Sequence, residues 1–141
     1  MIEWMRREFP RYFAGFILMA TGLGKVLDIP GFVTVIEAYQ LFPHRAAVLL
    51  AYILPFIELG TGFCLASGRF LLSGASLAVG LHAVMIGAVV ITLIRGIPVE
   101  NCGCFGVFFA RPLSYTTLIE DLVMLAMSGW VWINARSLSE K

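Results

Sequence analysis

The chain reads as an all-α membrane protein, a four-helix transmembrane bundle with a short amphipathic helix lying in the interface between the first and second spans. Three observations predict it. Of its 141 residues, 60% are hydrophobic and only 13% are charged. Its mean hydropathy is +0.90. Soluble domains carry about 25% charged residues, so too few charges are present to coat a water-facing surface. A net charge of +1 offers no basic face for nucleic acid, and the apolar content excludes disorder. Three cysteines are too few for a disulfide-stapled scaffold.

A bilayer core roughly 30 Å thick takes about 20 apolar residues per helical span. Four segments qualify, at about 12–28, 46–66, 70–94 and 113–133. Residues 1–141 are read as a single transmembrane domain, with no soluble domain before or after. The first segment follows Arg6, Arg7 and Arg11 but lacks a small-residue cleavage site, so it is expected to be a retained span ended by Pro30-Gly31. Phe32, Val33, Ile36, Tyr39 and Leu41 fall near one helical face, the spacing of the interfacial helix, which Pro43 should end. The second span contains Pro55, where a kink is expected, and Glu58. The third has His82 as its one titratable group. Glu120 and Asp121 occupy the first turns of the fourth. Gly60, Gly62 and Gly68, with Gly74, Ala78 and Gly80, suit close helix packing.

Four spans put both termini on one side. Arg6, Arg7, Arg11, Arg69, Arg136 and Lys141 would share that side, against Lys25, Arg45, Arg95 and Arg111 opposite. Basic residues favour the cytoplasm, so both termini are placed there, in an inner (cytoplasmic) membrane. The loop from Arg95 to Pro112 then faces outward.

That loop carries Glu100-Asn101-Cys102-Gly103-Cys104-Phe105-Gly106. Two thiols separated by one glycine can close a very small ring, and a strained or exposed disulfide is more easily reduced than a structural one. Such a pair suits electron exchange in an oxidising compartment. A permanent loop staple and a soft-metal site for Cu(I) or Zn²⁺ are the rival readings. Two thiolates do not complete a zinc shell, although His44 in the other outward loop is available to assist.

Lys25, Arg95, Glu120 and Asp121 all fall toward the outer side and are expected to form an ionic cluster beneath the thiols. A neighbouring cation favours the thiolate. Glu58, deep in a span, marks a functional position by its cost. It has three available roles: proton relay, hydrogen bonding to a quinone carbonyl, and pairing with Lys25. Cys64 falls near the inner end of its span, too far to reach the other cysteines, since a disulfide needs Cα atoms within about 7 Å. His82 is read as a helix-packing histidine that has Glu58 as a second available partner.

The order Lys25, Gly31-Phe32, Tyr39-Gln40-Leu41-Phe42-Pro43 and Leu54-Pro55-Phe56-Ile57-Glu58-Leu59-Gly60-Thr61-Gly62 resembles the DoxX-like membrane proteins. With Arg95-Gly96 and Asn101-Cys102-Gly103-Cys104-Phe105-Gly106 the chain looks like their MauE branch, over about residues 11–130. The usual pattern has Asp where this chain has Asn101. The resemblance implies a four-helix bundle tied to thiol–disulfide chemistry. MauE proteins are associated with maturation of methylamine dehydrogenase beside a thioredoxin-like partner, and DoxX relatives with quinone-coupled oxidation of sulfur compounds. It gives Cys102 and Cys104 the redox-pair role, with Lys25, Glu58 and Asp121 as supporting polar positions, to which the charge argument adds Arg95. The function expected is a membrane thiol–disulfide redox protein. It exchanges electrons with an extracytoplasmic thioredoxin-like protein, with a quinone near Glu58 as a candidate electron donor or acceptor. The alternatives are a non-enzymatic subunit or maturation factor of a larger membrane complex, and a Cu(I)-binding membrane protein.

Overall fold

The computed structural model describes residues 1–140. Lys141, counted above among the basic residues of the inner side, lies outside them. Five helices follow one another: α1 (Ile2–Val26), α2 (Ile29–Ala38), α3 (His44–Ser67), α4 (Leu71–Ile94) and α5 (Tyr115–Ser139). No strand occurs among the described residues.

Helices α3, α4 and α5 are each long and apolar enough to cross a membrane, and α1 with α2 passes the same test as a pair bent by 102°. Three to four spans are therefore present, and the protein is a multi-pass membrane protein in contact with lipid. Large apolar side chains point outward along the long helices, among them Phe16, Phe56, Phe63, Val84 and Ile133. In water such a surface would be untenable; against acyl chains it costs nothing.

Because lipid removes the hydrophobic drive between helices, close backbone approach holds them together. The pairing of α1 with α3 shows how. A Cβ on Gly15 would lie 2.9 Å from the Gly62 carbonyl oxygen, and one on Gly22 would lie 2.8 Å from that of Pro55. Gly62 therefore packs as its spacing predicts, and Gly74 packs against the Cys64 side chain. Gly60 and Gly80 do not: both face open space. Helix α3 runs through Pro55 without a break.

Two boundaries differ from the sequence reading. Helix α1 starts at Ile2, about ten residues before the apolar segment. Its charges are accommodated locally: Arg11 pairs with Glu8 at 3.0 Å, and Arg6 lies over the Trp130 ring, whose indole N–H donates to the Arg6 carbonyl. The chain then bends at Leu27-Asp28, and Pro30-Gly31 opens α2 instead of ending α1. Asp28 caps that helix by accepting from the Gly31 N–H at 3.0 Å. Asp is a favoured cap, and proline is tolerated in a first turn because its missing N–H would be unbonded there.

Helix α2 is shorter than the sequence suggests, ending at Ala38. Its buried residues are Phe32 and Val35, packed near Ala51 and Leu54 of α3, with Val33, Ile36 and Tyr39 at the margin. The inward face thus centres on Val35, which the sequence reading did not place on it.

Candidate functional site

Between α4 and α5 the chain forms a hairpin closed by two backbone bonds, Cys102 N–H to the Arg111 carbonyl and Leu113 N–H to that of Val99, each 2.8 Å. Asn101 organises its tip. The side-chain oxygen accepts from the Gly103 N–H at 2.9 Å, while the side-chain nitrogen donates to the Gly106 carbonyl at 3.1 Å. An Asp here would lack the donor to Gly106.

Gly103 adopts φ +74°, and a Cβ there would come 2.5 Å from Val35 Cγ1. Only a glycine suits that combination. The turn brings the Cys102 and Cys104 sulfurs to 3.0 Å, with both thiols free. From the other side, the Tyr39 hydroxyl donates to the Cys102 carbonyl at 2.6 Å, tying the hairpin to α2. It also rests on the end of α1, where a Cβ on Gly24 would sit 2.6 Å from the Phe105 carbonyl oxygen.

The two thiols are not equivalent. Cys102 is pulled down to about 6 by the hydrogen bond it shares with the Cys104 thiol, with help from the Cys104 backbone N–H and the Arg111 charge, against the opposing effect of burial. Cys104 is pushed up by the same shared hydrogen bond, by burial and by the neighbouring negative charge. The proton therefore stays on Cys104 and the charge on Cys102. Cys102 is the more enclosed of the two, at 5% exposure, whereas Cys104 lines a cavity of about 430 Å³.

That cavity lies between α1, α4 and α5. It gathers Lys25, Glu58, His82 and Asp121 beside Cys104. Lys25 and Glu58, each 1% exposed, form a forked ion pair with Nζ–Oε distances of 2.9 and 2.7 Å. Thr21 adds a hydroxyl contact to Glu58 at 3.3 Å, and the Lys25 ammonium lies 5.5 Å from the Phe32 ring centre. Of the three roles open to Glu58, pairing with Lys25 is the one seen. Asp121, at 8% exposure, has a buried Oδ2 with no hydrogen-bond partner. His82 meets Ser128 through Nδ1 at 3.3 Å.

The expected ionic cluster is corrected in one member. Arg95 turns away and donates to the Gln40 carbonyl at 2.9 Å. The cation near the thiols is Arg111, which grips Glu120 with both guanidinium ends and lines the cavity with it. His44 pairs with Glu37, and among the described residues no group of three or more His, Cys, Asp or Glu is placed to hold a metal ion. Cys64 is a free thiol packed at Gly74 on α4.

The sequence model of the family described as "Methylamine utilisation protein MauE" matches residues 6–134. The chain belongs to the MauE family. A curated relative, the "Methylamine utilization protein MauE" of Paracoccus denitrificans, is 26% identical over 118 residues, or 84% of this chain. The chain spans about 63% of that relative's length. No solved structure matches. Within this MauE-family chain, Arg111, Tyr39 and Asn101 join the site although sequence reasoning had passed over their part in it. A signal existed for Asn101: an Asx side chain two residues before a glycine is a turn former.

Proposed function

We propose that this protein is a membrane thiol–disulfide redox protein in which Cys102 and Cys104 cycle between dithiol and disulfide. The observation that carries the reading is the pair itself. Two free sulfurs sit 3.0 Å apart in a glycine-pinned turn, and the hydrogen bond between them pulls the Cys102 thiol below its ordinary range. The thiolate is the nucleophile of exchange, so Cys102 attacks a partner's disulfide and Cys104 resolves the mixed disulfide. The partner fitting this chemistry is an extracytoplasmic thioredoxin-like protein. Lys25, Glu58 and Asp121 support the pair from the cavity.

The same reading takes residues 1–141 as one domain of four spans, with α1 and α2 as the bent one and α2 at the membrane interface. Both termini lie in the cytoplasm and the hairpin outside the inner membrane. The relative's name points to methylamine utilisation as the pathway served. A quinone–quinol couple would exchange the two electrons and two protons that return the pair to its dithiol form. The cavity suits one chemically, with Phe13, Ile17 and Met124 as apolar walls and Lys25 and Asp121 as polar contacts. No step above depends on it.

The test is thiol labelling in intact cells. Membrane-impermeant reagents should reach Cys102 and Cys104 from outside, and the Cys102 rate should climb with pH to a plateau above about 6 as its thiolate forms. Cys104→Ser should accumulate a reducible mixed disulfide through Cys102. Labelling from the cytosol alone, or no mixed disulfide from either single variant, overturns the reading.

A further inference from the structure

Closing a disulfide within the pair requires the Cys104 thiol, which lines the cavity, to lose its proton. We propose that Asp121 is the acceptor of that proton, and hence a catalytic residue of the resolving step. This inference rests on the redox reading above.

The carboxylates around the cavity differ in what their oxygens are doing. On α3, both oxygens of Glu58 are held by Lys25 from α1. On α5, both oxygens of Glu120 are held by Arg111 of the hairpin. His82 on α4 has its Nδ1 against Ser128. Tyr39, after α2, spends its hydroxyl proton on the Cys102 carbonyl. Asp121 alone in this group combines burial with an oxygen that has no partner. It lines the same cavity as Cys104, whose thiol carries the proton to be moved. A buried polar atom left unbonded is costly, and such atoms call for an explanation by function. The cavity, about 430 Å³ in volume, is also wide enough for a bridging water, and Asp121, Cys104 and Lys25 all line it.

Cys102 has attacked the partner's disulfide and holds one of its sulfurs. The Cys104 proton passes to the Asp121 carboxylate as the Cys104 sulfur attacks Cys102. The Cys102–Cys104 bond forms, the bond to the partner breaks, and the partner leaves as a thiolate. Two electrons have moved from the pair to the partner. The proton then leaves Asp121 through the cavity.

The experiment uses the full-length chain in detergent, carrying Cys64→Ala to silence the third thiol, with dithiobis(nitrobenzoate) as the disulfide. Capture by Cys102 releases one coloured thiolate, and ring closure releases the second. In Asp121→Asn the ratio of second-phase to first-phase rate should fall on the order of 10²-fold, the scale of general base catalysis. Raising the pH should restore it as hydroxide replaces the carboxylate. Asp121→Glu should retain the second phase. An unchanged ratio in Asp121→Asn, or a fall that alkali does not reverse, overturns the proposal while leaving the redox reading standing. A wild type that releases neither thiolate sinks the redox reading itself. Should Asp121→Asn not fold, the wild-type second phase decides. It should fade in acid as the carboxylate is protonated, and a flat profile overturns the proposal.

Discussion

Two ion pairs flank the thiols, and they share a chemistry but not a setting. Lys25–Glu58 is sealed between α1 and α3, each side chain 1% exposed; Arg111–Glu120 stands at the hairpin edge with nearly half of each side chain in the open. Burial makes the first pair costly to form and far more costly to break, because either charge alone would be stranded. Solvent makes the second cheap in both directions. The inner pair therefore holds shape, while the outer one acts on Cys102 through two opposed charges, Arg111 lowering its pKa and Glu120 raising it, beneath the larger effect of the Cys104 hydrogen bond. Asp121 is beside both and is claimed by neither.

The contrast can be broken at its stronger end. Lys25→Met should destabilise the bundle by about 3–5 kcal/mol, the cost of an uncompensated buried charge, read as a loss of thermal stability in detergent. Adding Glu58→Leu should recover most of that loss, which separates stranded charge from lost packing. Thr21→Val sharpens the picture at intermediate scale. It removes the hydroxyl contact to Glu58 and should cost about 1 kcal/mol in the same unfolding measurement. The smallest effect belongs to Arg111→Gln, with a stability change of roughly 0–1 kcal/mol for an exposed pair. Its visible consequence lies elsewhere. With the cation gone, the Cys102 thiolate loses support, so the alkylation midpoint should move up from about 6 toward the ordinary thiol value. Labelling would then be slower at neutral pH.

Much of this arrangement was legible because ions and thiols stand out against apolar helices. Lys25, Glu58 and Asp121 are conspicuous at membrane depth, and Cys102-Gly103-Cys104 is conspicuous in any loop. Three of the helices fall close to the segments that hydropathy marks. Arg111 was not distinguished from Arg95 because both border the same loop. What separates them is the pairing of Cys102 with the Arg111 carbonyl, a contact across the loop that no periodicity encodes. The bend at Leu27-Asp28 was misread for a related reason. Pro30-Gly31 has the chemistry of a helix end and of a helix beginning, and the Asp28 cap decides between them. The pairing of the two thiol environments depends on partners 63 residues apart in the chain, such as Tyr39 and Cys102, and so was beyond local pattern.

One contact described above acts as a spacer of fixed thickness. The hairpin rests on α1 with nothing but the hydrogen of Gly24 between helix and the Phe105 carbonyl. A methyl group at that point would work as a wedge, lifting the sulfurs from their seat while every helix stayed where it was. The smallest residue in the chain is thus what keeps the site in touch with the bundle's interior.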